Sequence, residues 1–158
     1  MGMIKKYTEN NCEIAIWHMH ESLDELKKIG NSIDHQKFKN KKREKEFLTC
    51  RLLLNKISPK SRIIYNKFGA PELNNGQHIS ISHSKNLAAI IISNTKVGLD
   101  IEQISNKPLG LYLKFITEKA HQNLTKEKAT LIWCCKEAIF KWHQKGSLNF
   151  KKDIKIDE

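Results

Sequence analysis

The sequence contains few of the residues that indicate a secreted, metal-stapled or membrane-spanning protein. Its four cysteines include no C-x-x-C pair, which argues against a zinc site or a disulfide framework. Seven glycines and three prolines in 158 residues argue against a low-complexity chain. The longest apolar run, Leu87 to Ile92, is too short to span a bilayer. These deficits together predict a folded protein with reduced thiols.

Acidic residues are also scarce. There are 17 of them against 28 lysines and arginines, which gives a net charge of +11. Such an excess favours a polyanionic partner, which is a nucleic acid, a nucleotide, an anionic membrane or an acidic protein. The first residues, MGMIKKYTENN, include no apolar segment typical of a secretion signal. We therefore expect a cytoplasmic protein with no membrane partner.

Alternating apolar and β-branched residues predict several short strands separated by polar turns. A turn is expected at Ser82-His83-Ser84. The expected strands are Cys12–Met19, Arg62–Asn66, His78–Ser82, Leu87–Ile92 and the segment from Val97 to Gln103. Consecutive short strands of this kind favour an antiparallel meander packed against helices, which is an α+β arrangement.

Helix signals lie on both sides of these strands. Ser22 followed by Glu25 is a capping-box pattern, and Gly30 would end that short helix. Further helices are predicted at about 34–56, with a basic polar face, at 111–124, and from the N-cap Thr125 to about Gln144. The buried stripe of the last helix is expected to consist of Ile132, Cys135, Ile139 and Trp142.

Two carboxylates stand two positions apart in V-G-L-D-I-E. Successive side chains of a strand point to opposite faces, so Gly98, Asp100 and Glu102 would share one face. Paired hard oxygen ligands at this spacing suit Mg²⁺ that is shared with substrate phosphates. A half-buried strand also exposes polar residues on its wet face without any such role, so both interpretations stay open at this point.

The last predicted helix places Trp133, Glu137 and Lys141 at intervals of four residues. A Glu followed by a Lys four positions later is commonly an exposed pair that contributes a few tenths of a kcal/mol. The same pair on a helix with little polar surface could instead be partly buried and functional.

Taken together, the ISHS segment, the V-G-L-D-I-E segment and the W-C-C-K-E-A-I-F-K helix resemble the 4′-phosphopantetheinyl transferases, in particular the larger surfactin-synthetase-activating type. The resemblance runs from about Arg43 to Asn149 and includes G-x-D-x-E and W-x-x-K-E-x-x-x-K in the family's order. It implies two pseudo-related α+β halves with small antiparallel sheets packed on helices. The halves would be residues 1–95 and residues 96–158, the second of them incomplete.

The resemblance also implies an activity. The enzyme would move the 4′-phosphopantetheine arm of coenzyme A to a serine of an apo acyl or peptidyl carrier protein, release 3′,5′-ADP and require Mg²⁺. By the motif match, Asp100 and Glu102 would hold Mg²⁺, and Glu137 would be either a third ligand or the base that activates the serine. Phosphoryl transfer depends mainly on such charge neutralisation and positioning, which agrees with these residue types.

Other residues are carried over from the same match. Lys141 would neutralise phosphate charge and steady the leaving group, with help from Lys136. Ser82 and His83 would contact the nucleotide phosphates. Arg51 matches an arginine that contacts the 3′-phosphate, and Arg43 is a weaker candidate.

Two departures from the family pattern keep other functions open. Gly69-Ala70-Pro71 replaces a Gly-Lys-Pro segment, so one phosphate-binding lysine is missing unless Lys67 compensates. Residues after Lys141 are too few for the further strands of the larger type, so a homodimer that completes the sheet is one expectation. The alternatives are a non-catalytic relic that binds coenzyme A and a basic nucleic-acid-binding module, although no zinc-finger or RNP-like motif supports the latter.

Overall fold

The computed structural model describes residues 4–31, 33, 38–117 and 123–156. Their main feature is a six-stranded antiparallel sheet with the strand order β1-β2-β6-β5-β4-β3. The strands are β1 (Ile4–Glu9), β2 (Cys12–His18), β3 (Ile63–Tyr65), β4 (Pro71–Leu73), β5 (His78–Ser84) and β6 (Leu87–Ser93). The helices are α1 (Leu23–Ile29), α2 (Lys41–Ile57), α3 (Asn106–Gly110) and α4 (Lys126–His143), with a 3₁₀ turn at Tyr112–Lys114. The α+β class is thereby confirmed.

Strand β1 was not expected from the sequence. It forms a hairpin with β2 through Asn10 and Asn11, whose φ angles of 49° and 62° suit the tight turns that join twisted strands. Its sequence, IKKYTE, carries lysines on the outer edge of the sheet, where charge discourages pairing with another chain.

Helix α2 covers one face of the sheet, and α1 packs against α2. The capping box at Ser22 and Glu25 is present, as predicted, and α1 ends at Gly30. Helix α2 begins after the N-cap Asn40 and ends at Ile57, with Ser58 as its C-cap before Pro59. Residues 34–37, where the sequence suggested its start, lie outside the described residues. The core between α2 and the sheet includes the side chains of Trp17, Leu26, Leu48, Leu53, Ile79 and Ile90.

The ISHS segment is not a turn, contrary to expectation. Residues His83 and Ser84 continue β5 and pair with Ala88 and Leu87, and the chain turns at Lys85 and Asn86 instead. Since side chains alternate along a strand, Ser82 and His83 point to opposite faces of the sheet.

The segment from Val97 to Gln103 is not a strand of the sheet either. Its backbone has no ladder partner, for a reason described below. The sheet comes entirely from residues 4–93, and the described residues after 93 contain no strand. The predicted helix at 111–124 is a single 3₁₀ turn in its first part, and residues 118–122 lie outside the described part of the chain. A pseudo-related second half and the division at residue 95 remain predictions.

Helix α4 matches its predicted extent, from the N-cap Thr125 to His143. Its predicted buried stripe is wrong, because none of the four residues is buried. Ile132 and Cys135 are half-buried, and Ile139 and Trp142 are 38% and 47% exposed. Leu131, two turns before Ile139, is 64% exposed as well. The apolar spacing predicts burial, but Leu131, Ile139 and Trp142 are each more than a third exposed. None of the described helices is long and apolar enough to cross a membrane.

Candidate active site

Three serines of β5 hold the segment that carries the two carboxylates. Because strand side chains alternate, Ser80, Ser82 and Ser84 all lie on one face, opposite the face that α2 covers. Their hydroxyl oxygens accept hydrogen bonds from the backbone N–H groups of Leu99 (3.0 Å), Ile101 (3.2 Å) and Gln103 (3.3 Å), respectively. We call this set the serine ladder.

The serine ladder has a constant register. Each donor lies 19 residues after its serine, so the carboxylate segment runs parallel to β5 in an extended course. Its N–H groups bond to side chains rather than to backbone carbonyls, which explains why it forms no strand of the sheet. Two of the serines also donate, Ser82 to Asp100 Oδ1 and Ser84 to Glu102 Oε2, both at 2.7 Å. The expected shared face of the two carboxylates is therefore present without a strand.

A partly buried ion pair joins this segment to α4. The Lys141 ammonium donates to Asp100 Oδ1 at 2.7 Å and to Ser82 Oγ at 3.1 Å. The side chain of Asp100 is 5% exposed and that of Lys141 is 27% exposed, so the pair is only partly screened by water. The two sequence motifs thus meet at one point, 41 residues apart in the chain.

Gly98 allows this meeting. A methyl group at its Cα would lie 1.9 Å from the Ala138 carbonyl oxygen and 3.0 Å from Trp142 Cβ. No φ restriction applies to this glycine, so its role is the close approach of two backbones. The first residue of G-x-D-x-E therefore sets the distance between the carboxylate segment and α4.

Glu137, one turn before Lys141, is half-buried beside the same carboxylates. Burial raises the pKa of Glu137 above its ordinary 4.5, the Lys141 ammonium lowers it, and the charges of Asp100 and Glu102 raise it. Burial, together with these two carboxylates, also raises the pKa of the Cys134 thiol to about 12. Cys134 is therefore a neutral thiol beside a concentration of negative charge.

The donor set is suited to a hard cation. Asp100 Oδ2 is buried and has no hydrogen-bond partner among the described residues, and a bound cation would satisfy it. The described residues contain no preformed group of three ligating side chains. Mg²⁺, however, usually takes one or two carboxylates and completes its shell with water and substrate phosphates. Asp100 fits that requirement, with the carboxylates of Glu102 and Glu137 close enough to interact with it electrostatically.

The cationic candidates on the other face of the sheet line a separate cavity of about 320 Å³. His83 Nδ1 lies 3.4 Å from Glu46 Oε2, and the Arg51 guanidinium stacks on the Phe47 ring at 3.2 Å from its centroid. Arg43 lines the same cavity. Arg43 and Arg51 thus come together with His83, which lies far from them in the sequence. The structure therefore separates His83 from Ser82 and groups it with the two arginines.

A second cavity, of about 340 Å³, lies beside the first and has Tyr65 and Ile81 in common with it. Both cavities follow the edge of β5, because β4 pairs with β5 only at Glu72 and His78. Lys141 of α4 and Gln144, the residue that caps its C-terminus, contribute to the lining of this second cavity.

Lys136 lies elsewhere. Its buried ammonium donates to the carbonyl oxygens of Phe150 and Ile154, and burial lowers its pKa. These bonds fasten the C-terminal segment against α4. The Phe150 ring also stacks on Trp133 of that helix, with ring centroids 5.4 Å apart.

The sequence alone did not indicate a role for Ser80, Ser84 or Gln144. It also did not indicate that Gly98 contacts α4. The signal for the first two was the alternation in S-I-S-H-S, which places three hydroxyls on one strand face. No local pattern reveals the close approach at Gly98, since it depends on a helix 40 residues later.

Comparison with known proteins gives two findings. Residues 96–158 match the model of the family described as the 4′-phosphopantetheinyl transferase superfamily. The 4′-phosphopantetheinyl transferase gsp of Aneurinibacillus migulanus is 30% identical over an alignment of 111 residues, and the match covers 64% of this chain and 47% of that protein. The chain therefore spans about half the length of the curated relative that it matches.

Proposed function

We propose that this chain, whose resemblance to the 4′-phosphopantetheinyl transferase superfamily is confirmed, transfers the 4′-phosphopantetheine arm of coenzyme A to a serine of an apo carrier protein. The products would be the holo carrier protein and 3′,5′-ADP. The observation that carries the proposal is the Lys141–Asp100 ion pair, since it unites the family's two motifs in one partly buried site.

We assign the metal to the carboxylates. Asp100 and Glu102, with Glu137 as a further candidate, would hold Mg²⁺, whose charge would offset that of the pyrophosphate. The serine ladder would fix the direction of both D-x-E carboxylates before substrate binds, because each accepts a 2.7 Å hydrogen bond from a serine.

Lys141 would act on the substrate phosphates. In the free protein its ammonium is bonded to Asp100 and Ser82, and a pyrophosphate beside the carboxylates would offer it a competing anionic partner. Its charge would then stabilise the negative charge that grows on the leaving 3′,5′-ADP.

Glu137 keeps two candidate roles. Its raised pKa favours a base, because a carboxylate that holds its proton more tightly accepts one from the incoming serine more readily. Its place beside Asp100 and Glu102 equally suits a metal ligand.

The arginine cavity is the proposed site of the nucleotide end of coenzyme A. Arg51, Arg43 and His83 provide cationic and hydrogen-bonding groups there, which is the chemistry that a 3′-phosphate requires. A substrate lying along the open edge of β5 would pass from this cavity towards Lys141. Ser82 would then act through Asp100 rather than on the nucleotide.

The test is transfer itself. Protein is incubated with coenzyme A, Mg²⁺ and an apo acyl carrier protein, and the carrier is weighed by intact mass spectrometry. We expect a gain of one phosphopantetheine that is abolished by chelation of Mg²⁺ and by Asp100→Asn, which keeps the size of the side chain. Lys60→Ala, at an exposed turn, is the control and should retain activity.

The alternatives give different results. Binding of coenzyme A without any mass gain would support a non-catalytic relic and contradict the transfer proposal. Salt-dependent binding of random DNA without affinity for coenzyme A would support a nucleic-acid-binding role for the +11 charge. A homodimer that covers the exposed side of α4 would appear as a doubled mass in solution.

A further inference from the structure

Residues 147–156 form a short turn that packs against α4, and we call them the C-terminal clasp. Within the clasp, the Asn149 carbonyl accepts a hydrogen bond from the backbone N–H of Asp153, and the Asp153 carboxylate accepts one from the N–H of Asn149, both at 2.8 Å. The side-chain oxygen of Asn149 accepts two more, from the N–H groups of Lys151 (3.0 Å) and Lys152 (2.9 Å). The turn is therefore closed by its own hydrogen bonds.

Lys136 is the charged group of α4 that the clasp covers. The residue is 5% exposed, and its ammonium donates to the carbonyl oxygens of Phe150 and Ile154. Among the described residues no carboxylate forms an ion pair with this ammonium, so only carbonyl dipoles offset its charge. A well-packed apolar side chain in such surroundings is often as stabilising as the charged group or more so. The stability of the fold alone therefore does not account for a lysine at this position.

The clasp also packs against the two aromatic side chains that flank Glu137. The Phe150 ring centroid lies 5.4 Å from that of Trp133 and 5.4 Å from that of Phe140. Trp133 precedes Glu137 by four residues and Phe140 follows it by three, so both rings are neighbours of the Glu137 side chain on the helix surface. The position of Phe150 thereby limits where the two rings can lie, and the rings limit the space that the Glu137 carboxylate can occupy.

We infer that Lys136 is a positioning residue for the transfer reaction, because it holds the C-terminal clasp and, through the Phe150 ring, fixes the surroundings of Glu137. The inference rests on the proposed function, and it replaces the contact with phosphate that the sequence led us to expect of Lys136. It applies whether Glu137 is the base or a metal ligand, since either role requires the carboxylate in one orientation. Lys136 thus affects the rate of the reaction without contacting the substrate.

The test separates rate from affinity. Lys136→Met keeps the length of the side chain and removes its three hydrogen-bond donors. The kcat of transfer should fall about 10- to 100-fold, while KM for coenzyme A and the affinity for 3′,5′-ADP, measured by calorimetry, should change by less than about twofold. Lys141→Met removes the proposed contact with phosphate and should instead weaken the binding of both nucleotides.

A second measurement follows the clasp itself. Amide hydrogen exchange, measured by mass spectrometry, should become faster in residues 147–156 of Lys136→Met and stay unchanged in α2. The midpoint of urea denaturation should stay close to that of the parent, because an apolar group replaces the buried charge. Lys152→Met is the matched control, since Lys152 is exposed on the same segment, and it should keep the parent's kcat and exchange rates.

Phe150→Leu tests the same connection from the side of the clasp. It removes the stacked ring and leaves Lys136 in place, so we expect the same fall in kcat with an unchanged KM. This variant also tests the inference if Lys136→Met does not fold.

Three results would overturn the inference. They are a Lys136→Met variant with the parent's kcat, a fall in its kcat without faster exchange in the clasp, and a loss of affinity for 3′,5′-ADP as large as that of Lys141→Met. The last result would show that Lys136 contacts phosphate directly. Each of the three leaves the proposed function intact, whereas a parent protein that performs no transfer would refute the proposed function and this inference together.

Discussion

Gly98→Ala should separate the carboxylate segment from α4. The added methyl group would stand 1.9 Å from the Ala138 carbonyl oxygen, while ordinary van der Waals contact begins at 3.4 Å. The obstacle is helical backbone, which cannot turn aside as a side chain could. The segment must therefore retreat by about 1.5 Å, the difference between the two distances.

This retreat would break the link between the two motifs. The Lys141–Asp100 contact is 2.7 Å long, so a shift of that size takes it out of hydrogen-bonding range. Overpacking of this kind costs about 1–3 kcal/mol, and separation of a partly buried ion pair adds to the cost. We expect the free energy of unfolding to fall by about 2–3 kcal/mol, with transfer activity lost.

Urea denaturation measures the loss of stability. With an m-value of about 2 kcal/mol per molar, the midpoint should fall by roughly 1 M. Gly110→Ala is the control, since a methyl group at Gly110 would meet nothing within 4 Å. It should change the midpoint little. A Gly98→Ala variant with the parent's midpoint and activity would show that the close approach does not set the site.

Two further predictions concern the same cluster. Ser84→Ala should increase the hydrogen-exchange rate of the Gln103 amide, because that N–H loses its acceptor. The amides of Leu99 and Ile101 keep their acceptors and should exchange as before. Exchange measured by NMR that becomes equally faster at all three amides would argue against independent hydrogen bonds. Glu137→Gln should raise the free energy of unfolding at pH 7 and not at about pH 3. The reason is that the pKa of Glu137 is raised in the folded protein, so the ionised carboxylate destabilises the folded state as the pH rises from the ordinary 4.5 through the folded value, and glutamine removes this cost. Equal stability of Glu137→Gln and the parent at both pH values, measured by urea denaturation, would contradict this effect of burial.

Local signals in the sequence predicted the elements that depend on local physics. The capping box of α1 and the N-cap of α4 were correct, because their hydrogen bonds join residues three positions apart. Strands β5 and β6 were found because their β-branched residues are typical of a buried sheet. Strand β1 was missed because an exposed edge strand carries lysines instead of an apolar face.

The errors arose where contacts between distant residues decide the structure. The alternation in the carboxylate segment indicated its extended shape correctly, but its hydrogen bonds go to serine hydroxyls, which a strand pattern does not reveal. The stripe of α4 was expected to be buried because apolar spacing shows which residues share a side and not whether anything covers it. Which predicted residues act in binding or catalysis is a question that the transfer and binding experiments address.

The serine ladder has a consequence for how this site can change by mutation. Hydrogen bonds between strands use backbone groups that every residue except proline possesses, so no ordinary substitution deletes them one by one. Here each rung depends on a single hydroxyl of Ser80, Ser82 or Ser84. A one-residue change can therefore release or reposition one part of the carboxylate segment while the sheet below it stays intact. The placement of the acidic residues is, in this respect, more open to gradual evolutionary adjustment than the fold that supports them.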